Sequence, residues 1–180
     1  MLGPFDYAFN QTIGYEGAKY TDHPADRGGP TKYGITEAVY REAIKRKIIS
    51  PVSVSIRNLT EREAKAIYLY DYWNRMRLNE VVDQFIASEI FDTSVNMGRK
   101  AAATICQKAL NYLGESLEED GIMGPKTINA LNRWSNKDPR ALHICLNGFQ
   151  FMRYAEIVKA DGTQHTFARG WTRRVQSYRA

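Results

Sequence analysis

Asp26-Arg27-Gly28-Gly29-Pro30-Thr31-Lys32-Tyr33-Gly34-Ile35-Thr36 interrupts an otherwise helical chain. With Asp22 and Pro24 just upstream, this density of turn formers predicts a tight β-hairpin, two short strands around the Gly28-Gly29 pair. The flanking sequence has helical periodicity. Phe5, Phe9, Thr12, Ile13 and Glu16 share one face of a first helix, and Gly17 is placed to end it. A second helix begins at Thr36 and turns Val39, Ala43 and Ile44 inward, leaving Arg41, Lys45, Arg46 and Lys47 outside. Leu59-Thr60-Glu61-Arg62-Glu63 has the spacing of a capping box, and the helix it starts runs through Ile67, Tyr68, Tyr70 and Trp73. Further helices are expected over residues 81–97, 101–113, 125–134, 139–159 and 166–179. Gly98 and Gly114 serve as stops, and Pro125 and Pro139 sit in first turns. The expected class is mainly α, a helical bundle with one small β-hairpin.

A chain of 180 residues, 43% hydrophobic and 25% charged, is long enough and apolar enough to bury a core. No apolar run approaches the roughly 18–20 residues that span a bilayer, so no transmembrane segment is expected. Met1-Leu2-Gly3-Pro4-Phe5-Asp6-Tyr7 lacks the basic start and apolar core of a secretory signal. Cys106 and Cys145 sit among apolar helical neighbours and read as buried thiols rather than a disulfide. His23, His143 and His165 are scattered, with His143 in an apolar helix as a core or boundary residue, so no metal site and no cofactor are expected. The net charge is +5. Its excess gathers at the end, where Arg169, Arg173, Arg174 and Arg179 meet no acid after Asp161. Such a surface attracts polyanions, among them an anionic bacterial envelope. An aromatic-basic signature of a nucleic-acid reader is missing, so no nucleic-acid partner is expected. A monomer is expected.

The chemistry concentrates on the hairpin and the segment before it. Glu16 stands at the end of the first predicted helix, and Asp26 and Thr31 stand on the hairpin. One acid able to hold a proton, with a second acid and a hydroxyl opposite, suits cleavage of a glycosidic bond. A helix C-terminus disfavours a carboxylate, and burial beside Tyr15 or Trp73 adds to that effect, so Glu16 is the candidate general acid. Asp26 in a polar hairpin stays ionised, and Thr31 is positioned to orient water. For Asp26 ordinary turn chemistry is the competing reading, and for Thr31 pairing within the hairpin. Tyr20, Tyr33, Trp73 and Asn96 are candidate sugar contacts. Tyr33 serves equally as a brace, Trp73 as core, and Asn96 as the polar finish of a helix before Gly98.

Tyr15-Glu16-Gly17-Ala18, the stretch Asp26–Thr36, Tyr72-Trp73 and Phe91-Asp92-Thr93-Ser94-Val95-Asn96-Met97-Gly98 together resemble glycoside hydrolase family 108. Asp120-Gly121-Ile122-Met123-Gly124-Pro125-Lys126-Thr127, followed by Ala130-Leu131, is similar to the predicted peptidoglycan domain that usually follows it. The resemblance covers nearly the whole chain. It implies an α+β lysozyme-like fold, with a muramidase domain over residues 1–98 and a helical peptidoglycan-binding-like lobe over 99–180, packed on the first. It implies hydrolysis of the β-1,4 bond between N-acetylmuramic acid and N-acetylglucosamine. Glu16, Asp26 and Thr31 match the order of the acid, aspartate and threonine of phage-type lysozymes. The family commonly has Glu-Gly-Gly-Tyr, whereas here Ala18 replaces the second glycine and Lys19 precedes Tyr20.

The competing function is a non-catalytic peptidoglycan-binding module used in localisation or secretion. Retention of Glu16, Asp26 and Thr31 favours the enzyme. The expected route is synthesis in the cytoplasm without a signal peptide. Action on the cell wall follows, after release by a holin or a dedicated secretion system.

Overall fold

The computed structural model describes residues 3–13, 20–21, 29–51 and 55–175. Among them are eight α-helices and one two-stranded antiparallel sheet, a mainly α fold with a small hairpin. Two compact units divide the chain, Met1–Arg75 and Met76–Ala180.

The first unit starts with α1 (Pro4–Thr12), whose Pro4 occupies the first turn. The helix expected to continue to Glu16 closes earlier. Ile13 caps it and donates to the Phe9 carbonyl at 2.8 Å. Two β-branched residues followed by Gly14 give that end weak helix propensity. Glu16 and Gly17 lie outside the described residues.

Strands β1 (Thr31–Lys32) and β2 (Ile35–Thr36) pair Thr31 with Thr36 and Lys32 with Ile35. The two-residue turn is therefore Tyr33-Gly34, not the Gly28-Gly29 pair. Tyr33 and Gly34 take φ of 53° and 70°, the mirror-image conformation that matches strand twist. The glycine pair falls within a second, wider connection, because Thr21 and Thr31 form an isolated antiparallel bridge through N–H···O bonds of 2.9 and 2.8 Å.

Thr36 caps α2 (Glu37–Lys45) by accepting from the Val39 amide. Its buried face is Tyr40 and Ala43, while Val39 is 39% exposed, so the inward stripe is rotated one residue from the expected one. Lys47, at φ 59°, closes the helix with bonds from Ile48 N to Ala43 O and from Lys47 N to Ile44 O, the paired pattern of a left-handed C-terminus. The capping box of α3 (Glu61–Tyr68) forms as read: Thr60 Oγ1 accepts from Glu63 N, and Glu63 Oε2 accepts from Thr60 N. A π-helical stretch, Leu69–Asn74, continues α3 without a break. Trp73, Phe5, Phe9, Tyr68 and Tyr72 form a run of ring contacts through this unit, with centroids 5.4–6.0 Å apart.

The second unit holds α4 (Gln84–Met97), α5 (Arg99–Tyr112), α6 (Pro125–Lys137), α7 (Pro139–Ala160) and α8 (His165–Thr172). Asp83 caps α4 by accepting from Phe85 N and Ile86 N, which moves its start from the expected residue 81. Gly98 alone joins α4 to α5, at φ 85° and ψ 153°. The division expected at residues 98/99 thus falls at this joint, inside the second unit. Ile86, Ile90, Phe91, Leu110, Leu131 and Leu142 are almost fully buried here.

Candidate active site

Three hairpin residues proposed from sequence are described together: Tyr20, Thr31 and Tyr33. Glu16 and Asp26 lie outside the described residues. The hairpin turn is held from below by α3. Tyr68, 2% exposed, donates its hydroxyl to the Tyr33 carbonyl at 2.9 Å. A Cβ at Gly34 would sit 2.9 Å from that same hydroxyl, so only glycine lets the turn approach so closely. The Ile13 side chain also reaches this spot, its Cδ1 4.0 Å from the Cβ position. Ile13 is the last described residue before the segment that carries Glu16, and Thr21 and Gly29 bound the segment that carries Asp26. Ile13 abuts the turn, Thr21 bridges Thr31, and the Gly29 carbonyl accepts from Thr31 Oγ1 at 2.9 Å. Of the four residues that bound these two segments, Thr21 and Gly29 are thus hydrogen-bonded to Thr31 and Ile13 stands next to the turn.

Thr31 donates its hydroxyl within the loop, as the pairing reading required. A hydroxyl that donates once still offers two lone pairs, so this bond orients the oxygen as an acceptor. Tyr20 is half-buried with the Arg57 guanidinium over its ring at 4.0 Å. Lys32 Nζ donates to the Arg57 carbonyl at 2.8 Å. A tyrosine face, a guanidinium and an ammonium thus stand beside the hairpin, a set suited to polar sugar substituents. Trp73 is 3% exposed, its ring edge-on to Phe5 at 5.6 Å. Burial supports its reading as core rather than as a sugar platform. Asn96 belongs to the second unit, where it is exposed and donates Nδ2 back to the Asp92 carbonyl at 2.8 Å. That bond matches the helix-finishing reading.

The second unit holds a buried polar seam, of which the sequence marked only His143, here buried as a core residue. Along α7, His143, Asn147, Gln150 and Tyr154 all face inward. They meet Glu89, Asp92 and Thr93 of α4. His143 Nε2 lies 3.4 Å from Glu89 Oε2, and Gln150 Nε2 donates to Thr93 Oγ1 at 3.0 Å. Arg174 Nη1 reaches Asp92 Oδ1 at 3.0 Å, so one of the four C-terminal arginines neutralises a buried acid. Burial, with the Asp92 carboxylate adding and Arg174 opposing, pushes the Tyr154 phenol up to about 12. Burial, then the Glu89 charge, raises the Cys106 thiol too, making it an inert core residue. The spacing 143, 147, 150, 154 is a heptad seam, the one signal that could have added Asn147, Gln150 and Tyr154 to His143. Among the described residues no group of three His, Cys, Asp or Glu is placed to hold a metal ion.

The Asp120-Gly121-Ile122 motif locks a loop. Gln107, 2% exposed, donates to Asp120 Oδ1 at 2.6 Å and to the Ile122 carbonyl at 3.1 Å, and it accepts from Gly121 N at 2.9 Å. The Gln107 bond, then the Ile122 amide, holds the Asp120 carboxyl below its ordinary range. Gly121, at φ 74°, leaves no room for a Cβ, which would fall 2.6 Å from Lys100 Cγ and 3.1 Å from the Lys100 carbonyl. These bonds make the motif a locked loop ahead of α6.

Comparison with known proteins agrees with this architecture. Residues 9–98 match the model for glycosyl hydrolase 108, and residues 101–176 match the model for a predicted peptidoglycan domain. The chain is similar to the solved structure of Brucella abortus SagA at 30% identity and a TM-score of 0.73, over 95% of this chain and 88% of that one. No curated protein sequence matches it. With its hairpin, its helical second unit and matches spanning both halves, the chain belongs to the glycosyl hydrolase 108 family.

Proposed function

We propose that this protein is an N-acetylmuramidase that cleaves the β-1,4 bond between N-acetylmuramic acid and N-acetylglucosamine, with Glu16 as general acid. Family membership makes the chain a glycoside hydrolase, and the second match supports peptidoglycan as its substrate. The observation that carries the finer reading is the fixed hairpin. Ile13, Tyr20, Thr21 and Gly29 bound the two segments holding Glu16 and Asp26; Thr21 and Gly29 bond to Thr31 of the hairpin, and Ile13 stands beside its Tyr33-Gly34 turn. Thr31 presents a hydroxyl from that same loop. Under this reading Glu16 protonates the leaving oxygen, Asp26 stabilises positive charge on the sugar or activates water, and Thr31 orients the water. Tyr20 and Tyr33 line the sugar path. The protein acts on the cell wall after release from the cytoplasm, and no described helix is long and apolar enough to cross a membrane.

The test is turbidity loss of permeabilised Gram-negative cells, with muropeptides analysed by mass spectrometry. Wild type lyses the cells and leaves muramic acid at the new reducing ends. Glu16→Gln stays folded and loses turnover by roughly two to four orders of magnitude, the range expected of a general acid. Residual activity above about a tenth of wild type would remove Glu16 from the chemistry. Binding to the wall without lysis by wild type would point instead to a non-catalytic module.

A further inference from the structure

A groove of about 480 Å³ opens between α5 and α7 in the second unit, with Met97 of α4 at its edge. Its apolar lining is Ala101, Ile105, Met97, Phe149 and Met152, and its charges are Lys100, Lys108, Arg153 and Glu156. The small side chains of Ala101 and Thr104 give it depth, and Phe149 and Met152 wall it from α7. Arg153 is paired with Glu156 at 3.1 Å. Among the described residues Lys100 and Lys108 have no ion-pair partner, although both line the groove. They lie on α5 eight positions apart, which at ~1.5 Å per residue sets them roughly 12 Å apart along the helix.

We propose that this groove binds a short acidic peptide with small apolar side chains, the chemistry of the peptide stems of peptidoglycan, rather than the sugar chain. The inference rests on peptidoglycan being the substrate. Two lysines whose backbone positions stand roughly 12 Å apart along the helix can reach carboxylates three or four extended residues apart, at about 3.3 Å per residue. The apolar lining between them suits methyl side chains. A neutral glycan has no use for two unpaired lysines, and it lays hydroxyls where Met97, Ile105 and Met152 offer no partner. The volume lies within the range of pockets that enclose a compact ligand. Binding here holds the stem while the glycan is cut elsewhere on the chain, so the groove adds affinity through linkage rather than through new sugar contacts.

The test uses the full chain and three soluble probes: a sugar-free stem tetrapeptide with its carboxylates, the same peptide amidated, and chitotetraose. Affinity is read by calorimetry and its location by amide shifts. The acidic peptide binds, shifts the α5 and α7 amides, and weakens with added salt. Amidation, or the double substitution Lys100→Gln and Lys108→Gln, weakens it at least about tenfold. Both lysines are exposed, so the variant keeps its fold, and the amidated peptide tests the same point without altering the protein. Peptide binding that survives both changes, chitotetraose occupying the groove, or no binding at millimolar peptide overturns the assignment. Lysis is measured in parallel. Intact lysis without stem binding sinks the groove assignment alone, and stem binding without lysis sinks the hydrolase reading alone.

Discussion

Gly34 is confined to glycine twice over, by its φ of 70° and by the Tyr68 hydroxyl 2.9 Å from where a Cβ would stand. Gly34→Ala should lower stability by about 1–3 kcal/mol. It should also reduce lysis more than that loss predicts, because the Tyr68–Tyr33 bond holding the turn must shift. Thermal unfolding and turbidity loss on one preparation check both, and an unchanged melting temperature would disprove the close fit. Individual side chains were unevenly legible in the sequence. Thr60 and Glu63 were plain, because a capping box depends only on neighbours three residues apart. Gly34 was visible as a turn former, but its partner Tyr68 is remote in sequence. Trp73 was ambiguous because a tryptophan looks alike in a core and in a sugar groove until its burial is known. Tyr40 was missed because Val39 competed for the same helical stripe.

Among the elements, α7 departs furthest from expectation. Its inward residues include His143, Asn147, Gln150 and Tyr154, while Ile144, Phe151 and Met152 are 49–60% exposed. Hydrophobic periodicity assumes the opposite arrangement, so the sequence located the helix and marked His143 as a core or boundary residue but left its other inward polar residues unread. The seam is partly paired: Glu89 meets His143, Thr93 accepts from Gln150 and Arg174 supplies a cation to Asp92, while the Tyr154 hydroxyl is buried with no hydrogen-bond partner among the described residues. Tyr154 gives the seam a pH signature. Its phenol stays protonated in the folded chain up to about 12 and ionises near its ordinary value of 10 when unfolded. Its contribution is therefore complete below pH 10 and is lost as pH rises through about 12. The stability of wild type relative to Tyr154→Phe should be constant below pH 10, then fall by about 1.4 kcal/mol per pH unit between 10 and about 12. Denaturant unfolding from pH 8 to 12 measures this, and a flat difference throughout would contradict it.

At the scale of the molecule, the two ways of dividing the chain differ by one helix. The family models part between residues 98 and 101. The compact units part at Arg75/Met76 and put α4 with α5 and α7. A fragment of residues 76–180 should therefore unfold cooperatively, whereas 99–180, stripped of Ile86, Ile90 and Phe91, should not. Calorimetry of the two fragments decides it, and a sharp transition in the shorter one would overturn the expectation. Charge also acts at this scale. Arg169 and Arg173 are exposed, whereas Arg174 is committed to Asp92. Replacing Arg169 and Arg173 with Gln should weaken sedimentation with cells and flatten its salt dependence without lowering the melting temperature. Sedimentation that is unchanged across salt concentrations would count against a basic attachment surface. The π-helical stretch matters here too, because it ends at Asn74, one residue before the first unit does. A wider winding stores a spare residue. Were Leu69–Asn74 to tighten into ordinary α geometry, every side chain beyond would swing by about 100° per displaced residue. Six loosely wound residues thus set the phase that lays Tyr72 and Trp73 against Tyr68 and Phe5, and a one-residue deletion there would carry both rings off that core.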